Sequence, residues 1–314
     1  MSEATVVYVV GSGAVGMALA ACLVGEGKRS VAVRTRQSDA HRETLKVTLH
    51  NGPDRMTVPV ETVGISQLTT IDGVVAVTAK SYANAKIATE LKRKMTNGPL
   101  VIMQNGIGVE KPFVETGLPE IYRCILYLTS QGTAANEFGF HFIKSSPVGT
   151  VKGTETGLNS AVSALSTARF PFHVEKNIQR EIWKKAIVNA VFNSICPLLE
   201  TDNGVFVRDP AVAELADGVV KECLLLTDML GLDLKHGELI EQIMNISKSS
   251  DGQLISTLQD IRNGRETEIE YLNLEMARTA AALQPRIDLS ITELLGKLTG
   301  FKSKQSMQGK FGET

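Results

Sequence analysis

The stretch that decides the fold is VVYVVGSGAVGMALAACL, residues 6–23. A short apolar run is followed at once by a glycine-rich turn and then by a segment rich in alanine, which predicts a buried strand, a tight turn and a helix. In such a turn the glycines permit a sharp bend, a close approach of the backbone to a pyrophosphate, and tight packing of the helix. A purely structural turn is the alternative. We predict a dinucleotide site formed by Gly11, Ser12, Gly13, Ala14, Val15 and Gly16.

The composition of the chain is that of an ordinary globular protein. Its 314 residues are 43% apolar and 21% charged, with a formal net charge of -1. The length suits two domains of about 150 residues each. The near-neutral charge provides no global attraction for nucleic acid or an anionic membrane, and no apolar run is long enough to span a bilayer. The four cysteines are scattered, with no CxxC pair and no histidine spacing suited to zinc, so we expect reduced thiols and a cytoplasmic protein.

Strand and helix signals alternate through the first half of the chain, which predicts a parallel sheet covered by helices. Further strands are predicted at Ser30–Thr35, Gly73–Ala79 and Pro99–Gln104, a hairpin at Asn51-Gly52, and additional strands across residues 123–152. From Gln179 onward the signals are almost all helical. We therefore predict an α/β domain over residues 1–175 and a helical domain over residues 176–314. The polar segment 300–314 is expected to be mobile.

The end of the second predicted strand indicates which dinucleotide is bound. An NAD site presents an acidic residue about 20 residues after the glycine turn, to bind the ribose hydroxyls. This chain has VRTRQ there, with Arg34 and Arg36 and no acid. A guanidinium can hold a 2′-phosphate that a carboxylate would repel. The segment favours NADPH, with Arg36 as the contact; the alternative is that both arginines are solvated.

A second informative segment, EIWKKAIVNAVFNSICPLL at residues 181–199, predicts a helix that is apolar nearly all round. Lys185, Asn189 and Asn193 interrupt it at every fourth position, so they share one stripe. Because buried polar groups cost free energy unless paired, the stripe should face a ligand cavity or join a structural network, and the pattern does not decide between them. Lys184, about 100° around the helix, is expected to face solvent.

Together these segments resemble the ketopantoate reductase (2-dehydropantoate 2-reductase) family over almost the whole chain. Among Glu266, Glu268 and Glu270 the pattern alone makes no choice, whereas the resemblance selects Glu268. The family segments occur here in order: GSGAVG, AKSY with Lys80, QNGIG with Asn105, WKKAIVNAVFNS, DNG with Asn203, and STLQDIRNGRETEIEY with Ser256 and Glu268.

The resemblance implies an N-terminal Rossmann dinucleotide-binding domain and an all-helical C-terminal domain of the 6-phosphogluconate dehydrogenase type, with the active site between them. It also implies NADPH-dependent reduction of 2-dehydropantoate to pantoate, in pantothenate and coenzyme A biosynthesis. Lys185 would donate the proton, Glu268 would bind the substrate hydroxyl, and Lys80 would lie near the cofactor. Asn105 would touch both cofactor and substrate. The remaining substrate ligands would be Asn189, Asn193, Asn203 and Ser256, and no metal is expected.

Two other functions stay open. Leu274 stands where the family has glycine, and LQPRIDLS replaces the family's Pro-Xaa-Asn segment. An NADPH-dependent reductase of another branched 2-oxo acid is therefore one alternative, and a non-catalytic NADPH-binding protein is the other. The expected partner is a small 2-oxo acid, with no nucleic acid or membrane. The sequence does not decide whether the chain forms a homodimer.

Overall fold

The computed structural model of the chain describes residues 5–36 and 41–309. The chain packs into two compact units. Unit 1 comprises Met1–Gln104 and Val109–Ile178, and unit 2 comprises Asn105–Gly108 and Gln179–Thr314. The chain therefore enters unit 2 for four residues, returns to unit 1, and enters unit 2 again after Ile178.

Unit 1 is built on β-strands. The strands are β1 (Val7–Val10), β2 (Ser30–Arg34), β3 (Glu43–Asn51), β4 (Asp54–Gly64), β5 (Ile71–Asp72), β6 (Val74–Val77), β7 (Met95–Asn97), β8 (Leu100–Ile102), β9 (Ile121–Cys124), β10 (Leu128–Ala134), β11 (Glu137–Phe142), β12 (Ser146–Lys152) and β13 (Phe172–Val174). Eleven of them form one sheet in the order β10-β11-β3-β4-β2-β1-β6-β8-β9-β12-β13, while β5 and β7 pair separately.

The centre of the large sheet is parallel. Strands β4, β2, β1, β6, β8 and β9 are neighbours in that order, and every one of these pairings is parallel. Valines dominate the central strands, and β1 is in register with Ser30–Val33 on one side and Val74–Val77 on the other. The hairpins β3–β4 and β10–β11 and the pair β9–β12 are antiparallel. The predicted parallel core is confirmed, as are the hairpin at Asn51-Gly52 and the added strands of residues 123–152.

In its described residues unit 1 also contains the α-helices α1 (Ala14–Gly25), α2 (Asn84–Lys94), α3 (Lys111–Val114) and α4 (Glu155–Leu165). Helix α1 is buried at every position from Gly16 to Leu23. Its many alanines allow this close packing because they add little side-chain bulk. The core beside it includes stacked aromatic rings, with Phe170 centred 5.5 Å from Phe140 and 5.0 Å from Phe172.

Unit 2 is helical in its described residues, as predicted. Its central helix α5 buries apolar side chains on nearly every side, and Phe192 packs edge-on against Phe206 with ring centroids 4.6 Å apart. None of the helices in the described residues could cross a membrane. The helices are α5 (Ile178–Leu199), α6 (Val205–Arg208), α7 (Pro210–Met229), α8 (His236–Ser249), α9 (Ser256–Arg262), α10 (Asn273–Ala282) and α11 (Ser290–Gly309).

The expectation of a mobile segment from residue 300 onward is wrong as far as residue 309, because α11 continues to Gly309. Its polar side chains bind carbonyl groups of neighbouring helices. Lys302 donates to the carbonyl of Pro197 at 2.8 Å, and Ser306 donates to that of Ile261. A polar composition therefore concealed a packed helix. Residues 310–314 lie outside the described chain.

Candidate active site

The glycine turn joins β1 to α1, and two of its glycines are required by close backbone packing. Gly11 has a φ of +124°, and a Cβ there would lie 2.4 Å from the backbone nitrogen of Ala79. A Cβ on Gly16 would lie 1.9 Å from the carbonyl oxygen of Gly11. The hydroxyl of Thr78 donates to that same carbonyl at 3.0 Å. No sequence pattern marks Thr78, because its partner is distant along the chain.

Gly13 has a different environment from the other two glycines. No atom lies within 4 Å of the position that a Cβ would take there, and its φ of -75° suits any residue. It precedes α1, whose first turn contains no acidic residue and whose N-terminus has no side-chain cap. The first-turn N–H groups, which have no acceptor within the helix, and the positive end of the helix dipole therefore lie next to this open space. These features fit a phosphate group, which needs donors, positive potential and room.

The two arginines after the second strand differ in their surroundings. Strand β2 adjoins the glycine turn, since Gly11 N–H donates to the carbonyl of Val33 at 2.9 Å. Arg34 is buried, and its guanidinium binds the Glu43 carboxylate and the carbonyl of His41. Arg34 therefore ties β2 to the start of β3. Arg36 is exposed.

A buried amide pair connects the ends of β6 and β8. Asn84 and Gln104 are 1% and 4% exposed, and each side-chain amide donates to the other's oxygen, at 2.8 and 2.6 Å. Gln104 also donates to the carbonyl of Ala79 at 2.6 Å, and Asn84 donates to that of Val109 at 2.8 Å. The four bonds hold residues 79–84 to residues 104–109.

Two predicted site residues directly follow members of this network. Half-buried Lys80 follows Ala79 and precedes the short 3-10 helix Ser81–Ala83, and half-buried Asn105 follows Gln104. The carbonyl of Gln104 also accepts a hydrogen bond from the buried Arg123 at 3.3 Å. The network thus fixes the backbone beside Lys80 and Asn105. No sequence pattern marks this network, because Asn84 and Gln104 meet only in the folded chain.

The segment that begins at Asn105 packs within unit 2 against the residues that follow Glu268. Gly106 has a φ of +100°, and a Cβ there would lie 2.7 Å from the carbonyl oxygen of Tyr271. The N–H of Ile107 donates to that carbonyl at 2.8 Å. The structure therefore brings the Asn105 segment to the segment that carries Glu268.

Helix α5 carries the predicted polar stripe. Lys185 and Asn189 are half-buried, while Asn193 is 4% exposed. The Asn193 side chain donates to the carbonyl of Asn189 at 2.9 Å and accepts from the hydroxyls of Thr257 at 2.7 Å and Ser256 at 3.4 Å. Asn193 is therefore fixed by α9, whereas Ser256 is exposed and makes only a long bond to it.

Lys184 does not extend into solvent as expected. Its side chain is 20% exposed and forms an ion pair with Glu238 on α8. Arg180 binds the same carboxylate at 2.6 Å. The sequence pattern could not reveal this pairing, because Glu238 belongs to a later helix.

Asn203 lies in a loop that is hydrogen-bonded to the turn before α9. Its N–H donates to the carbonyl of Gln253 at 2.9 Å. The neighbouring Asp202 carboxylate binds Arg208 at 2.8 Å and accepts the N–H groups of Gly204 at 2.7 Å and Gly252 at 3.1 Å.

The electrostatics of this loop are unusual in two respects. The Arg208 guanidinium, helped by the two backbone donors, lowers the pKa of Asp202 to about 2 despite partial desolvation. The side-chain oxygen of Asn203 is buried and accepts no hydrogen bond within the described chain. A buried acceptor without a donor costs about 1–3 kcal/mol, so Asn203 is a suitable contact for a ligand hydroxyl.

Burial distinguishes Glu268 from the other two candidate glutamates. Glu266 and Glu270 are exposed, and Glu270 pairs with Arg278, whereas Glu268 is half-buried. The three acids do not lie in an α-helix. They lie in the connection between α9 and α10, where Ile269–Tyr271 forms a 3-10 turn.

The predicted site residues thus form one group in unit 1 and two sets in unit 2. In unit 1 the glycine turn packs on Ala79, next to Lys80, and β2 leads from the same turn to Arg36. In unit 2 the polar stripe meets Ser256, the Asn203 loop meets the turn before Ser256, and the Asn105 segment meets the residues after Glu268.

Comparison with known proteins identifies relatives for both units. The family described as "Ketopantoate reductase PanE/ApbA" matches residues 7–151, and its C-terminal counterpart matches residues 177–300. A 2-dehydropantoate 2-reductase of Pyrococcus abyssi is 28% identical over 97% of this chain and 99% of its own. One of Halobacterium salinarum is 26% identical, over 85% of this chain and 89% of its own.

Solved structures share the fold at lower identity. A PanE/ApbA family ketopantoate reductase from Ralstonia eutropha has a TM-score of 0.83 at 20% identity, covering 96% of this chain and 99% of its own. A ketopantoate reductase from Staphylococcus aureus, described as dimeric, has a TM-score of 0.79 at 18% identity and the same coverage. A D-mandelate dehydrogenase solved with NADH and anilino(oxo)acetate has a TM-score of 0.82 at 17% identity, again with that coverage. Because the family segments span both units in order, this chain belongs to the ketopantoate reductase family of oxidoreductases.

Proposed function

We propose that this protein reduces 2-dehydropantoate to pantoate with NADPH, a step toward pantothenate and coenzyme A. The observation that carries the proposal is the polar stripe on the otherwise apolar helix α5, with Asn193 held in place by Ser256 and Thr257. A half-buried lysine on such a stripe can meet a substrate oxygen. Membership of the family supports the same reaction.

In the proposed reaction the nicotinamide supplies a hydride to the ketone carbon. Lys185 stabilises the negative charge that develops on the carbonyl oxygen and then gives it a proton. Glu268 accepts a hydrogen bond from the substrate hydroxyl. Neutral donors and acceptors fix the orientation of the substrate without adding charge. These are Asn105, Asn189, Asn193, Asn203 and Ser256.

The cofactor would be held by the turn Gly11–Gly16, by Lys80 and Asn105, and by Arg36. The open space at Gly13 accommodates the pyrophosphate, and the exposed Arg36 is available for the 2′-phosphate. Because Arg34 is already bound to Glu43, the preference for NADPH is assigned to Arg36.

The proton-donor role is tested with Lys185→Ala. General acid catalysis contributes about 10²–10⁴-fold, so kcat with NADPH and 2-dehydropantoate should fall by at least about 100-fold. The matched control is Lys184→Ala, the adjacent lysine, whose partner is Glu238; its kcat should stay near wild type. Equal activity of the two variants would contradict the role of Lys185. Wild-type protein without turnover at millimolar 2-dehydropantoate would contradict the substrate.

The cofactor preference is tested with Arg36→Asp. The reversed charge would repel a 2′-phosphate, so KM for NADPH should rise by at least about tenfold, equivalent to 1.4 kcal/mol, while KM for NADH changes little. Arg93→Asp, an exposed arginine on α2, is the control and should leave both values unchanged. An unchanged preference for NADPH in Arg36→Asp would contradict the assignment.

Another branched 2-oxo acid is the second candidate substrate, because Leu274 replaces a family glycine. Leu274 packs toward α11, where its Cδ2 lies 3.0 Å from the position of a Cβ on Gly296. Initial rates with a panel of branched 2-oxo acids would separate the candidates. NADPH binding without turnover of any of them would favour a non-catalytic binding protein.

We further propose that the protein forms a homodimer in the cytoplasm. The description of the Staphylococcus aureus relative as dimeric supports this assembly.

A further inference from the structure

Helix α11 carries four of its large apolar side chains on the face that points away from the core of unit 2. The side chains that it buries are small, namely Thr292, Gly296, Thr299 and Ser303. The side chains that it exposes, by 39% to 62%, are Ile291, Leu294, Leu298 and Phe301. At about 100° per residue the second set forms one stripe opposite the first. A surface helix normally has the reverse arrangement, with its large apolar side chains inward.

Helix α7 adds a second exposed apolar stripe next to the first. Leu215, Leu225 and Met229 are 46%, 59% and 49% exposed and lie on one side of the helix. Gly218, on that side, meets α11, since a Cβ there would lie 3.3 Å from Cδ1 of Ile291.

Glu222 of α7 fixes the start of α11 in this position. Its carboxylate accepts the N–H groups of Ile291 and Thr292, each at 2.8 Å. The two stripes are therefore parts of one surface, which we call the α7–α11 surface.

The α7–α11 surface has the size of a protein interface. With about 200 Å² for each fully exposed large side chain, its seven apolar residues expose on the order of 700 Å². The largest apolar patch on a typical monomer is about 300–600 Å², whereas a stable interface buries about 800 Å² on each partner.

We infer that the α7–α11 surface binds a second copy of this chain; the inference rests on the proposed homodimer and assigns its interface. In a two-fold dimer the same patch meets itself, so an apolar stripe is complementary to its own copy. The exposed residues of α11 recur at intervals of three and four, the spacing at which helices pack together. The flanking Glu293 and Lys297 pair with each other at 2.6 Å, which leaves this border neutral and unsuited to an anionic membrane.

The interface leaves the proposed catalytic residues free. The opposite face of α11 rests on α5, where Thr299 donates to the carbonyl of Ser194 at 3.4 Å and Lys302 to that of Pro197. Substitutions on the outer stripe therefore change assembly without replacing a group of the candidate active site.

The experiment measures molar mass by sedimentation velocity at micromolar concentrations. Wild type should have twice the chain mass of 33.9 kDa, and the double variant Leu294→Glu/Leu298→Glu should have the mass of one chain with an unchanged circular dichroism spectrum. The matched control is Ile143→Glu in unit 1, at a residue that is 59% exposed, and it should remain a dimer. A monomeric wild type, or a double variant that stays dimeric, would overturn the inference.

Cross-linking gives a second measurement in which folding is not at risk. The four native cysteines are buried, so Leu298→Cys introduces one accessible thiol, and a short bismaleimide should link two copies covalently. Ile143→Cys should remain uncoupled, and equal cross-linking of both variants would overturn the interface. NADPH turnover in the same samples tests the proposed reaction separately: a dimer without turnover rejects the reductase and keeps the interface.

Discussion

Gly11, Gly13 and Gly16 occupy one turn but are required for different reasons. Gly11 and Gly16 leave room for neighbouring backbone, at Ala79 and at Gly11 itself. Gly13 faces open space and has a φ that alanine readily adopts. The folded chain alone therefore gives no reason for glycine at position 13, whereas the proposed phosphate contact would.

This difference gives a prediction for two alanine variants. Gly13→Ala should be as stable as wild type or up to about 1 kcal/mol more stable, because it restricts only the unfolded chain. Its Kd for NADPH should nevertheless rise by about tenfold or more, since the methyl group occupies the phosphate position. Gly16→Ala should lower the free energy of unfolding by about 1–3 kcal/mol through overpacking.

Urea denaturation and fluorescence titration with NADPH measure the two effects in the same variants. Undiminished NADPH affinity in Gly13→Ala would show that the open space at this residue is not the phosphate site.

Single residues show where sequence patterns stop being informative. The stripe of Lys185, Asn189 and Asn193 follows from spacing alone, because a helix repeats every 3.6 residues. Glu268 could be selected only by resemblance, since its burial depends on contacts distant in sequence. Arg34 and Arg36 look equivalent in VRTRQ, and only the fold reveals that the Arg34 guanidinium forms an ion pair with the Glu43 carboxylate.

At the scale of elements, local signals predicted the strands, the first helix and the hairpin at Asn51-Gly52. They could not predict the sheet order, in which β11 joins β3 by pairing Glu137 with Thr48. They also missed the last turns of α11, where polar side chains bind carbonyls of other helices. Contacts between segments that are distant in sequence do not change the periodic pattern of apolar residues in either segment, so the pattern cannot reveal them.

The amide pair between β6 and β8 predicts a large effect from one buried substitution. Asn84→Ala leaves Gln104 without its reciprocal partner and the carbonyl of Val109 without its donor. A buried polar group left unpaired costs about 1–3 kcal/mol, so the free energy of unfolding in urea should fall by that amount.

The control for this prediction is Asn159→Ala. Asn159 is exposed on α4, where its side-chain amide donates to the carbonyl of Glu155 in the same helix. Its substitution should change the free energy of unfolding by no more than about 0.5 kcal/mol. Equal effects of the two variants would mean that the pair does not stabilise these segments.

For the whole molecule, Asp202 predicts how stability responds to acid. Its pKa is about 2 in the folded chain and about 3.9 in an unfolded one, so the folded state holds the carboxylate more strongly. The resulting stabilisation is complete above about pH 5 and is lost as the pH falls through 4 toward 2. Asp202→Asn should therefore be less stable than wild type at pH 7, with the difference vanishing near pH 2.

Urea denaturation at pH 7, 4.5 and 3 follows this change. Arg208→Gln removes the main cause of the low pKa and should reproduce the altered pH dependence. A difference between wild type and Asp202→Asn that stays constant from pH 7 to pH 3 would contradict the assignment.

The division of the chain into two units includes a short segment, Asn105–Gly108, that the composition does not mark. The change from alternating strands and helices to helices alone predicts one boundary, near Glu175, and the compact units divide after Ile178. The four residues Asn105–Gly108 interrupt unit 1 without any change in composition, and only their packing assigns them to unit 2.

The position of Asn105–Gly108 in unit 2 matters for any attempt to express the two units as separate fragments. A fragment ending at Ile178 would retain Asn105–Gly108 but lack Tyr271, leaving Ile107 N–H without its acceptor. A fragment starting at Gln179 would expose Tyr271 where Gly106 normally covers it. The first fragment thus contains all of unit 1 but also carries four residues of unit 2 without their packing partners, and the second fragment lacks those four residues, so a cut after Ile178 does not separate the two units cleanly.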